Sequence, residues 1–266
     1  MLDFLFYFLR MIGLTLGVIV LCGFAVRLCS RLFSALLGGS SGSVFDITAI
    51  IGTPIHELGH AMMCPLFGHK IHKVKLWSPR AENGVYGFVE HTYNRRNPWA
   101  QLGNLFIGVG PIFSGLAITV LMLWLCFPTQ WNGYLASSQA LVASGGSVGD
   151  IFREVIGLLL SLPSAFAQNP IPAIIGLVVI LPVSLHISLS GTDVKGSLGA
   201  IPYYLLLVLL FSTVTFLLDF HSPISTAMYL WNLRLLSLFC LVIAFSAVWV
   251  VLALLIRVIR IVIHAF

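Results

Sequence analysis

The stretch Val44-Phe45-Asp46-Ile47-Thr48-Ala49-Ile50-Ile51-Gly52-Thr53-Pro54-Ile55-His56-Glu57-Leu58-Gly59-His60-Ala61-Met62-Met63-Cys64-Pro65-Leu66-Phe67 decides how this chain is read. It is long and apolar enough to cross a bilayer as a helix, which takes about 20 residues, yet it carries H-E-x-x-H in its middle. Residues four apart on a helix lie one above the other, so His56 and His60 aim two imidazoles at one point while Glu57 stands about 100° around beside them. Two neutral imidazoles suit zinc, and a carboxylate next to the open position can take a proton from water that the metal activates. Charge inside a hydrophobic span costs free energy and marks function. The flanking Ile50, Ile51, Met62, Met63 and Leu66 are not the polar neighbours a soluble metalloenzyme helix needs, so the expected metal site lies within the membrane. Thr53 and Pro54 either cap a helix that starts just before the ligands or kink a continuous one.

Composition widens this from one span to the whole chain. Of 266 residues, 59% are hydrophobic and 9% charged, against about 25% charged in soluble domains. That excludes a water-soluble globule, and it excludes disorder, which requires low hydrophobicity and high charge. The net charge of +5 is not a nucleic-acid signal, because no basic run sits on a polar scaffold. Five cysteines lie mostly in apolar runs without paired spacing and read as small buried hydrophobes.

The pattern predicts an all-α polytopic membrane protein with about six transmembrane helices, over residues 4–26, 44–67, 102–127, 171–190, 201–218 and 235–256. Residues 1–43 hold the N-terminal helix and a linker, 44–200 a core of three helices, and 201–266 two C-terminal helices with a basic tail. The segment 68–98 carries six basic residues, whereas 128–170 carries only Arg153. The positive-inside rule puts the first in the cytoplasm, the second outside and the Phe220 to Asn232 loop outside as well. Arg27 and Arg31 fall on the wrong side of this scheme. Within 68–98, residues 70–77 and 85–93 are rich in Val, aromatic and β-branched residues around the turn chemistry of 78–84, which predicts a membrane-associated β-hairpin. The outer loop 128–170 contains 151–162, readable as an amphipathic surface helix.

A zinc site of this type needs a third protein ligand. Glu82 and Glu90 sit in the hairpin, Asp150 and Glu154 in the outer loop, Asp3 and Asp219 at span ends, and Asp46 about 15 Å before His56 on its own helix. Asp193 remains, at the inner end of the fourth span and at the depth of the two histidines. Its bland role is a helix cap or a partner for Lys195. His186 precedes it by seven residues and shares its face if the helix continues through Gly191; it is an accessory group or the alternative third ligand.

Taken together, these residues resemble the site-2 protease family of zinc intramembrane metalloproteases. The likeness covers residues 44–204: His56-Glu57-Leu58-Gly59-His60, a following hairpin, the Gly108-Val109-Gly110-Pro111-Ile112-Phe113-Ser114-Gly115 segment, and an Asp at the inner end of a later span. The resemblance implies Zn2+ held by His56, His60 and Asp193, with Glu57 as general base. The chain departs from the family where a Leu-Asp-Gly signature is usual and has His186-Ile187-Ser188-Leu189-Ser190-Gly191-Thr192-Asp193 instead.

The expected function is a zinc-dependent intramembrane endopeptidase. Its partners are a transmembrane protein substrate and the lipid bilayer, with no nucleic acid. Its expected place is a cell membrane, plasma or inner, with the active site toward the cytoplasm. The alternative is a non-hydrolytic metal-binding membrane protein: a transporter, a sensor or a pseudo-protease scaffold. No second set of histidines or carboxylates is present to relay an ion, and a scaffold has no need of Glu57. A peptidase for prenylated termini would take a Glu as third ligand, and no Glu follows Glu154.

Overall fold

The computed structural model describes residues 1–79 and 85–265. Among them, three helical stretches are long and apolar enough to cross a membrane: Leu2–Leu66, Pro98–Cys126 and His221–Ile263. The protein is thus a helical membrane protein with one small antiparallel sheet.

The first stretch holds α1 (Leu2–Ile12), a π-helical turn (Gly13–Gly17), α2 (Val18–Leu37) and α3 (Ser41–Leu66). Helical backbone runs unbroken from α1 into α2. The chain then reverses at Gly38, whose φ of 59° is open to glycine, and Phe33 packs edge-on to Phe45 across the turn at 5.6 Å. Pro54 lies inside a continuous α3, so the cap alternative for Thr53 does not apply.

After α3 come β1 (Lys70–Lys75) and β2 (Phe88–Thr92), paired with Val74 opposite Val89 and a register irregularity between Ile71 and Lys73. Residues 80–84 of the expected turn, Glu82 included, lie outside the described residues. Next is α4 (Pro98–Cys126), which runs back along α3: Phe67 stacks on Trp99 at 4.8 Å, and Gly59 meets Gly110. At that crossing a Cβ on Gly59 would stand 2.6 Å from the Gly110 carbonyl oxygen. Only small residues let two backbones approach so closely, which is how membrane helices gain contact without a hydrophobic driving force.

The segment expected as an outer loop is two packed helices, α5 (Pro128–Ser144) and α6 (Val148–Gln168). Gly145 in the left-handed conformation ends α5, and a capping box between Ser147 and Asp150 starts α6. The Ser147 backbone N–H and hydroxyl hold the Asp150 carboxyl below its ordinary range. Ile151, Val155, Leu158 and Leu162 do form one apolar face, and it is buried against α5 and neighbouring helices.

The remaining helices are α7 (Pro170–His186), α8 (Gly191–Leu198), α9 (Ile201–Leu217) and α10 (His221–Ala265). Their order along α1–α2 shows the direction in which each of them runs. Phe4 meets Phe216, Tyr7 bonds Thr215, Thr15 bonds Tyr204, Gly23 touches Leu189, and Ser30 bonds the Leu185 carbonyl. As the first numbers rise the second fall without reversal, so the chain from Leu185 through α9 runs antiparallel to α1–α2; α7 shares that direction, since Gly176 meets Cys126 and Ile187 meets Gly115 on α4. Helices α7, α8 and α9 therefore follow one another in the same general direction, with a 55° bend between the first two, whereas the expected spans over 171–190 and 201–218 ran in opposite directions. A run of apolar residues after a polar break does not reveal whether the chain returns or continues.

Helix α10 runs parallel to α1–α2, since Asn232 bonds the Leu14 carbonyl, Trp249 packs on Phe33, and Arg260 bonds Ser40. Arg260 thus lies at the Ser40 end of the bundle, whereas the α9–α10 turn and the base of the hairpin, where His69 bonds the Ala100 carbonyl, lie toward the other end. In a cysteine-free background, Ser222→Cys should react with an impermeant thiol reagent from the same side of the membrane as Asn94→Cys. Labelling from opposite sides would restore the six-span topology.

Candidate metal centre

His56 and His60 lie on one face of α3, and each ring is held by a backbone carbonyl. His56 Nδ1–H donates to the His186 oxygen at 2.8 Å, and His60 Nδ1–H donates to the Ile107 oxygen at 2.7 Å. Both carbonyls are free because a helix ladder is interrupted. Pro111 has no N–H to return to Ile107 four residues earlier. Ser190 N–H, the group that would serve His186, turns instead to Asp193 Oδ2 at 2.8 Å. Two more carbonyls of the last turn of α7 are met from other helices: Ser246 reaches that of Ser184 and Ser30 that of Leu185.

With both Nδ1 atoms donating, each neutral ring leaves its Nε2 lone pair for the centre, and the two Nε2 atoms stand 3.2 Å apart. Asp193 closes the group, with Oδ1 at 3.3 Å from His60 Nε2 and Oδ2 at 3.8 Å from His56 Nε2. One ligand atom from each of the three residues lies within 4.8 Å of the others. Two facing lone pairs beside a carboxylate require a proton or a cation between them, and two imidazoles with one carboxylate form a donor set that suits zinc. The carbonyl bonds on both rings are the outer support such a site needs, since they fix tautomer and orientation.

Asp193 is at once a helix cap and a member of this group. Ser190 and Asp193 form the capping box that starts α8, so the bland reading and the functional one are not alternatives. His186 is placed elsewhere. The helix stops at His186 instead of passing through Gly191, and its Nε2 bonds Thr48 Oγ1 at 2.9 Å. The ring lies over Gly52, where a Cβ would stand 2.6 Å from it. It is the backbone of His186, not its imidazole, that reaches the centre.

Glu57 is buried and lines, together with His56, His60 and Asp193, a cavity of about 1110 Å³. The segment leading into β2 presses on it, since a Cβ at Gly87 would stand 2.8 Å from Glu57 Cγ. Tyr86 fixes that segment by donating to Asp46 Oδ1 at 2.8 Å. His91 also lines the cavity. His69 donates from Nε2 to the Ala100 carbonyl, so its Nδ1 accepts from His91 Nδ1 at 3.0 Å and leaves His91 Nε2 unprotonated. Burial and the neighbouring His69 hold His91 below the ordinary imidazole range. Sequence reasoning missed Ile107, Ser190 and His91. The first two had signals, a proline four residues after one and an S-x-x-D box starting at the other; His91 had none.

Set against family models, curated proteins and solved structures, the chain matches nothing. The geometry alone carries the functional reading.

Zinc content of the purified protein tests the grouping. His56→Ala, His60→Ala and Asp193→Asn should each lose the metal, whereas His186→Ala should retain it because its carbonyl survives. Pro111→Ala, which returns an N–H to Ile107, should weaken zinc about 10- to 100-fold in chelator competition.

Proposed function

We propose that this protein is a zinc-dependent endopeptidase that hydrolyses peptide bonds in or next to transmembrane segments of other membrane proteins, in the manner of the site-2 proteases it resembles. The observation that carries the reading is the convergence of His56, His60 and Asp193 on one point, with Glu57 on the wall of the same cavity. Zinc bound by the three ligands would supply Lewis acidity to a substrate carbonyl and to water. Glu57 is the proton carrier, taking the proton of the attacking water and passing it to the leaving amine. The carbonyls of Ile107 and His186 keep the two imidazoles aimed, and the Ser190 N–H keeps Asp193 aimed.

A helical substrate hides its carbonyls in hydrogen bonds and must unwind before attack. Residues 85–89 line the cavity directly above Glu57, and a two-stranded sheet leaves one edge of β2 free to take an extended segment as an added strand. The lysines and arginines around the hairpin favour a cytoplasmic position for that end in a plasma or inner membrane.

Two outcomes test this. Glu57→Gln should keep zinc at the wild-type stoichiometry and lower cleavage of a transmembrane model substrate by roughly 10²- to 10⁴-fold; a metal-loaded Glu57→Gln protein with full turnover refutes the reading. Val89→Pro should raise KM more than it lowers kcat if the edge holds substrate, and an unchanged KM removes the hairpin from substrate binding.

A further inference from the structure

Arg27 and Arg31 broke the charge pattern of the sequence, and the structure gives that exception a location. Both line the same cavity as Glu57 and the three candidate ligands. They lie four residues apart on one face of α2. Arg27 stands beside the entrance to α8, where a Cβ on Gly191 would be 3.7 Å from its Nη2, two residues before Asp193.

An arginine about 15 Å from the end of a helix inside a membrane bundle is expensive and calls for a partner. Among the described residues, no carboxylate lies within ion-pairing distance of either guanidinium. The neighbouring hydroxyls on the same face donate elsewhere, Ser30 to the Leu185 carbonyl and Ser34 to the Ser30 carbonyl, and neither receives a guanidinium N–H. Among the described residues, then, neither the half-buried Arg27 guanidinium nor the exposed Arg31 guanidinium on the cavity wall has an acceptor. A divalent ion at the three-residue group adds positive charge that Glu57 and Asp193 only offset, so the cavity carries cationic excess.

We propose that Arg27 and Arg31 form an anion subsite that binds a carboxylate of the peptide substrate within a few residues of the scissile bond. The source is either an acidic side chain or a free C-terminal carboxylate; both offer the planar pair of oxygens that a guanidinium binds in bidentate fashion. A lipid phosphate is the less apt occupant, because Arg27 is level with the candidate ligands and not with a helix end. The proposal rests on the peptidase reading and adds the substrate's charge to it.

The test uses the full zinc-loaded chain in phosphatidylcholine nanodiscs with one transmembrane peptide in several forms: a single Asp moved through successive positions, each Asn counterpart, and free-acid against amidated C-termini. The wild type should prefer the carboxylate form at one position or at the terminus by roughly 10- to 100-fold in kcat/KM. Arg27→Gln and Arg31→Gln should each collapse that ratio, Arg27→Lys should keep part of it, and Arg10→Gln, an exposed change on α1 outside the cavity, should leave it intact. A wild type indifferent to charge, or a preference that survives Arg27→Gln and Arg31→Gln together, overturns the subsite. Loss of the preference when phosphatidylglycerol is added assigns the arginines to lipid and also overturns it. Should no peptide be cleaved in a Glu57-dependent way, the peptidase reading fails separately, and anisotropy of the labelled peptides on Glu57→Gln protein still reports whether Arg27 and Arg31 select the carboxylate.

Discussion

Two backbone carbonyls that a regular helix would have used for itself organise this molecule. Ile107 is released by Pro111 and His186 by the end of α7, and each accepts the Nδ1–H of one histidine of the H-E-x-x-H helix. In a low-dielectric interior an unpaired carbonyl costs on the order of 1–3 kcal/mol, so each break and the histidine that fills it stabilise one another. The helices carrying the breaks are fixed relative to α3 by the Gly59–Gly110 crossing and by His186 on Gly52. A side chain at either glycine would separate the helices and lengthen the hydrogen bond that orients its histidine.

The same economy governs Asp193. Its carboxylate caps the short helix α8 and faces the two Nε2 atoms, so the bend after α7 does three things at once. It frees the His186 carbonyl, turns the Ser190 N–H toward the carboxylate, and carries Asp193 to the histidines. The end of α7 and the start of α8, from Leu185 to Gly196, thereby form one wall of the cavity. The hairpin segment lies against Glu57, and α2 contributes its two arginines to the same cavity.

Much of the candidate site was legible in the sequence because its parts are local. The i, i+4 spacing of His56 and His60 needs only a helix, and an apolar stretch around them needs only a membrane. Asp193 was reached by depth, which required the traverse of α7 but not its packing. The topology past Lys195 was not legible: hydropathy reports how many residues are apolar, and the direction of α9 is set by long-range contacts such as Thr15 with Tyr204 and Tyr7 with Thr215. The packed pair α5–α6 was missed for a related reason, since Ser- and Gly-rich composition hides an apolar face whose partners lie far away in the chain.

By itself the sequence determined that the chain is a helical membrane protein and that one span carries a metal-binding pattern with a carboxylate beside it. Those properties follow from composition and from the period of a helix, which each residue expresses without reference to distant ones. Only the tertiary structure decided that Asp193 joins the two histidines while the His186 ring turns to Thr48, and that Arg27 and Arg31 face the same cavity. A carboxylate, an imidazole or a guanidinium acquires its role from the groups within a few ångströms of it, and here those groups lie tens to hundreds of residues away along the chain.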